Sequence, residues 1–74
     1  MAVILIPVGM LKGYTGGQDR LELAAGPTVA EMLEAAGIPP ELVAGVMRDG
    51  ELVSKSYRPQ DGETIKVLAV MGGG

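Results

Sequence analysis

Apolar and polar positions follow different rhythms along this chain, and each rhythm predicts an element. Residues 3–8 (Val3, Ile4, Leu5, Ile6, Pro7, Val8) are apolar without a break, which predicts a strand inside a sheet, buried on both faces. Pro7 has no amide hydrogen, so it should mark a strand end or an edge. Arg20, Leu21, Glu22 and Leu23 alternate with period two, which points Leu21 and Leu23 inward. Between these runs, Gly9, Gly13, Gly16 and Gly17 bracket Met10, Leu11, Lys12 and Tyr14. That stretch reads as a short polar loop, and the two strands as a hairpin.

The rhythm then changes to that of a helix. Thr28, Val29, Ala30 and Glu31 fit a capping box. Val29, Met32, Leu33 and Ala36 follow at i, i+3, i+4 and i+7 on one stripe, with Glu31, Glu34 and Ala35 off it. Gly37 is placed for a left-handed cap, and Pro39 with Pro40 stops the helix. Pro40 can open one further helical turn through Val43. Asp49-Gly50, between apolar residues 46–47 and 52–53, predicts a hairpin turn whose two residues must both tolerate positive φ. Asp61-Gly62 is a second turn, launching a last strand over 64–70. The order strand, strand, helix, strand, short strand, strand predicts an α+β roll with one main helix on one face of the sheet.

Composition narrows the chemistry. The 74 residues suit one small domain. They include no Cys and no His, so the core is expected to hold by aliphatic packing rather than by disulfides or zinc. The same absences remove thiolate, imidazole and the usual transition-metal ligands. A net charge of −3 without a basic run argues against a nucleic-acid surface. No apolar stretch reaches membrane-spanning length, and residues 1–6 lack the positive flank and cleavage site of a signal peptide. A cytoplasmic protein is the expectation.

The last four residues, Met71, Gly72, Gly73 and Gly74, contribute little to packing, since glycine has no side chain and loses the most freedom when ordered. They do supply a slim stem ending in an α-carboxylate. Fully extended, they would reach about 13 Å beyond the sheet, far enough to enter a partner's buried pocket. The C-terminal carboxyl of Gly74 is therefore the candidate reactive group, with Gly73 as the narrow approach to it.

Three segments carry a resemblance to a known family. Residues 7–16, Pro7 through Tyr14 to Gly16, are similar to a loop near the N-terminus of the molybdopterin synthase small subunit. Residues 27–33, opening Pro27-Thr28-Val29, look like the helix start shared by the MoaD and ThiS sulfur carriers. Residues 60–63 and 69–74 look closer to ThiS, the thiamine-pathway carrier. The chain thus resembles the MoaD/ThiS family of ubiquitin-like sulfur carriers over nearly its whole length. The resemblance implies a β-grasp (ubiquitin-like) fold: a mixed sheet of four to five strands, one domain over 1–70, and a flexible glycine tail over 71–74. It also implies that a ubiquitin-activating-type adenylyltransferase uses ATP to adenylate Gly74, and that sulfide or a persulfide then leaves a thiocarboxylate. A downstream acceptor, such as the molybdopterin synthase large subunit or a thiazole synthase, would withdraw the sulfur. The chain itself would bind no cofactor or metal, acting as a protein cosubstrate rather than an enzyme.

Other candidates are weaker. If Ile65, Val67 and Ala69 face the helix, Lys66, Leu68 and Val70 face outward, because burying an unpaired ammonium is costly. Leu68 and Val70, with Met71 and Gly72, then offer a docking patch just before the tail; the alternative reading is that a loop covers them or that they are isolated exposed aliphatics. Asp49/Glu51 and Asp61/Glu63 each straddle a glycine and read as turn chemistry rather than as a metal loop. Lys12 and Tyr14 read as a solvated turn. Two other classes stay open: a ubiquitin-like modifier joined to lysines through the same terminus, and a non-catalytic β-grasp interaction module.

Overall fold

A computed structural model describes residues 2–70; Met1 and residues 71–74 lie outside the described residues. Five strands run β1 (Val3–Pro7), β2 (Leu21–Leu23), β3 (Val43–Arg48), β4 (Glu51–Val53) and β5 (Thr64–Ala69), with one α-helix, α1 (Val29–Ala36). They form one sheet in the order β2-β1-β5-β3-β4. β1 pairs antiparallel with β2 and parallel with β5, and β3 is antiparallel to both β4 and β5. The sheet is therefore mixed, with β5 at its centre.

β1 departs from its expected double burial. Val3, Leu5 and Pro7 are buried, whereas Ile4 and Ile6 are only half-buried. One face of the sheet is covered and the other is left largely open. Pro7 is the last residue of β1, so its missing N–H interrupts no inner ladder, and Val8 resumes pairing by donating to the Val67 carbonyl at 3.1 Å. The loop after it is also more structured than its glycines suggest. Gly9–Thr15 forms a 3₁₀ segment that buries Leu11 completely. Its left-handed end at Gly16 donates to the Lys12 carbonyl.

Helix α1 shows why its ends fall where they do. Each helix start leaves backbone donors without intrahelical partners. Here Val29 donates to the Tyr57 carbonyl and Ala30 to the Lys55 carbonyl, both at 2.9 Å. Glu31 donates its amide to Thr28 Oγ1 at 3.1 Å, and Glu31 Oε1 accepts the Thr28 amide at 2.8 Å. The capping box is thus complete, and the segment after β4 supplies the other acceptors. At the far end Gly37 has φ 84°; its amide meets the Glu34 carbonyl, and that of Ile38 the Leu33 carbonyl at 2.9 Å. This is a Schellman closure, and Ile38 just past the cap and Leu33 within the helix are both buried. A Cβ on Gly37 would come to 3.4 Å from the Tyr14 carbonyl, so the 3₁₀ segment packs close to this cap.

The core gathers Val3, Leu5, Leu11, Val29, Met32, Leu33, Ile38, Val43, Val46, Ile65 and Val67. It is wholly aliphatic apart from the Met32 thioether, as the composition requires. Leu21 and Leu23 pack against it, half-buried, on the side expected from their alternation. Pro40–Leu42 forms a single 3₁₀ turn leading into β3. At the β3–β4 turn Asp49 and Gly50 both take positive φ, 50° and 82°, as the hairpin signal demands.

Candidate functional site

The end of β5 is where the predicted site begins. Ile65 and Val67 are buried and Ala69 half-buried, while Lys66 and Val70 are exposed and Leu68 half-buried. The alternation therefore places Lys66, Leu68 and Val70 on the open face, as expected. Beyond the strand, the Val70 amide donates to the Leu42 carbonyl at 2.8 Å, and Ala69 lies opposite Val43. The last described residue is thus held by the backbone on its β3 side. Val70 keeps 43% of its surface exposed.

Beside it runs an apolar groove of about 530 Å³, lined by Val8, Gly9, Ala44, Gly45, Leu52, Leu68 and Ala69. The groove follows from two local features. β3 slips register against β5 between Val43 and Gly45, and a bulge of this kind re-aims the strand. Gly45 then leaves the space that a side chain would fill: a Cβ there would stand 3.5 Å from Leu52 Cδ2 and 3.6 Å from Leu68 Cδ1. Leu52, opposite Met47 in the β3–β4 hairpin, is 73% exposed.

Of the predicted site residues, Leu68 lines this groove and Val70 ends the described chain beside it. Met71, Gly72, Gly73 and Gly74 lie outside the described residues. Val8, Gly9, Ala44, Gly45 and Leu52 were not anticipated. Leu52 could have been found from the hairpin register, which puts it on the same face as Met47 and Leu68. The role of Gly45 could not, because it rests on a bulge.

A second cluster sits on the covered side of the sheet, where β3 meets the segment 54–63. Arg48 Nη2 donates to Glu51 Oε1 at 2.8 Å and Arg48 Nη1 to Tyr57 Oη at 3.1 Å. Tyr57 Oη in turn donates to Glu63 Oε1 at 2.6 Å, which also accepts the Gln60 amide at 2.7 Å. The guanidinium lies 5.4 Å from the centre of the Tyr57 ring. The Gln60 amide, then the Tyr57 hydroxyl and the Arg48 charge, hold the Glu63 carboxyl below the usual carboxylate range. Hydrogen bonds to Tyr57 and Glu51 push the Arg48 guanidinium up. The reading of Asp61/Glu63 as turn chemistry is thus incomplete, because Glu63 braces the loop that caps α1.

The other candidates are structural. Lys12 Nζ pairs with Asp19 Oδ1 at 3.1 Å on the surface, and Glu31, completing the cap, lies 4.0 Å from Arg58. Backbone and side-chain bonds from Thr28 hold the Glu31 carboxyl below its ordinary value. Among the described residues no three His, Cys, Asp or Glu side chains gather into a metal-holding group, and no helix is long and apolar enough to cross a membrane.

A mixed five-stranded sheet wrapped on one helix, with its central strand leading to the chain's end, is the β-grasp fold of ubiquitin-like proteins. Residues 8–74 match the ThiS family model, and the chain belongs to the ThiS family; it is of the ubiquitin-like sulfur-carrier class. It is similar to a chain in the crystal structure of the Amycolatopsis orientalis BexX/CysO complex, with 29% identity and a TM-score of 0.73 over 99% of this chain and 100% of that one. It also shares its fold with SAMP1 from Haloferax volcanii, at 17% identity and a TM-score of 0.70 over 100% of both chains. A comparison with curated proteins gives no match.

Proposed function

We propose that this chain carries sulfur on the C-terminal carboxyl of Gly74, which a partner adenylates with ATP and a sulfur donor converts to a thiocarboxylate. A carboxylate is a poor electrophile, so its oxygen cannot be replaced until it is activated. Adenylation joins the carboxylate oxygen to the α-phosphorus of ATP and releases pyrophosphate. Sulfide then attacks the carbonyl carbon, a C–S bond forms, and the C–O bond to AMP breaks. A Cβ at position 73 or 74 would crowd that attack. The chain's own part is to present the group, since it contains neither thiol nor imidazole.

The observation that carries this reading is the anchoring of Val70 to Leu42 beside the groove at the end of β5. A fixed departure point leaves the last four residues a reach of about 13 Å, so an enzyme acting on Gly74 must sit against this end of the sheet. Leu68 and Val70, with Met71 and Gly72, belong to that contact. Membership of the ThiS family supports the carrier role, and likeness to a chain of a two-protein complex supports action with partners. The partners are a ubiquitin-activating-type adenylyltransferase and an acceptor enzyme of molybdopterin or thiamine type. No cofactor resides on the chain.

The test combines the purified chain, such an adenylyltransferase and ATP, and measures pyrophosphate release. Wild type is adenylated. Deletion of Gly74, or Gly74→Ala, blocks the reaction while leaving the circular dichroism spectrum unchanged. Normal adenylate formation by the deletion variant contradicts the proposal.

A further inference from the structure

The open face of the sheet carries a lysine that has no ion-pair partner among the described residues. Lys66 stands at the middle of β5, flanked by Ile6 on β1 and Met47 on β3. Two residues further along the same face comes Leu68 and the apolar groove. Lys66 is exposed, and none of the four ion pairs among the described residues includes it. Asp49 lines the same shallow depression as Lys66, with Met47, Gly50 and Thr64, yet it does not come within ion-pair distance. The alternation of the strands brings Ile4, Ile6, Leu68, Met47 and Leu52 to this face as well. The setting is an exposed cation among mostly apolar side chains, with Thr64 and Glu22 opposite Ile4 on the same face, on a chain whose net charge is −3.

Covering such a face with a purely apolar partner would desolvate the ammonium without compensation, which is costly. We infer that Lys66 selects the activating partner by pairing with a carboxylate on its docking surface. That carboxylate stands roughly 7 Å, two strand residues, from an apolar side chain seated in the groove by Leu68 and Gly45. The inference rests on the carrier reading for the identity of the partner. It adds the chemistry by which the partner recognises this face: one apolar anchor and one acidic group, in register with β5. Opposite charge at an interface mainly sets partner choice and encounter, while a covered pair also holds the complex.

The experiment measures KM and kcat for the chain as substrate of the adenylyltransferase, by pyrophosphate release, across a range of sodium chloride concentrations. Lys66→Met keeps the stem and the strand preference but removes the charge; Lys66→Glu reverses it. Both variants should unfold in urea near the wild-type midpoint, since the side chain is exposed. With wild type, KM rises with salt. With Lys66→Met that dependence flattens, and with Lys66→Glu KM rises at least about tenfold at low salt, as loss of about 1.4 kcal/mol of binding requires, with kcat little changed. A Lys66→Glu KM within twofold of wild type, or a salt dependence unaltered in Lys66→Met, overturns the inference and leaves the carrier reading standing. Failure of wild type to be adenylated at all overturns both. Sedimentation of the chain alone should give a monomer; a dimer lost on Lys66→Glu would assign the face to a second copy instead and overturn the inference.

Discussion

Leu11 offers the sharpest test of how this small fold holds together. The residue lies in a glycine-bracketed stretch, yet it is fully buried and belongs to the central aliphatic cluster. Truncating a closed-in leucine to alanine removes its transfer free energy and leaves a cavity, which costs about 2–5 kcal/mol. A domain of this length has roughly 4–11 kcal/mol of stability in all. Leu11→Ala should therefore remove roughly a fifth or more of it and lower the melting temperature by roughly 8 °C or more. Met10, its neighbour, is 59% exposed, and Met10→Ala should stay within about 0.5 kcal/mol of wild type. With no tryptophan in the chain, urea unfolding followed by far-ultraviolet circular dichroism is the suitable assay. A Leu11→Ala loss below about 1 kcal/mol, or equal losses at positions 10 and 11, would show that the 3₁₀ segment does not contribute to the core.

Three further outcomes follow from the same contacts. Thr28→Ala removes the acceptor for the Glu31 amide and should cost about 1 kcal/mol by the same assay; an unchanged midpoint contradicts the cap. Glu63 has its carboxyl held below the unfolded value by the Gln60 amide, Tyr57 and Arg48. It therefore adds stability that is present above the unfolded carboxylate pKa and is lost as pH falls through the lower folded value. Glu63→Gln should flatten the acid limb of the stability–pH profile below about pH 4.5, and an identical limb in the variant counts against the brace. Gly45→Val fills the groove between Leu52 and Leu68; adenylation should show a KM raised by roughly 5–30-fold, for 1–2 kcal/mol of lost contact, and an unchanged KM removes the groove from the docking surface.

Much of this was legible in the sequence because it is local. The capping box at Thr28 and Glu31, the left-handed stop at Gly37 and the Asp49-Gly50 turn each need only a few neighbouring residues, and each stands where its residues predict. The alternation in β5 was equally readable, because Lys66 could not be turned inward. Burial of Leu11 was not readable: a lone leucine among glycines has no period, and only tertiary packing decides its fate. The half-burial of Ile4 and Ile6 was hidden for a related reason, since an uninterrupted apolar run does not say whether a layer covers each face. Glu63 and Arg48 meet through Tyr57 from separate elements, and the groove at Gly45 depends on a slipped register. Contacts of this kind are set by the assembled sheet.

The carrier reading stands or falls on the chemical state of one carboxyl group. Intact-mass measurement of the protein isolated from its native host, followed by fragmentation of the C-terminal peptide, examines it directly. A population heavier by one oxygen-to-sulfur exchange, located on Gly74, is the predicted result. A Gly74 carboxyl found only as the plain acid, or only in amide linkage to lysines of other proteins, would contradict it.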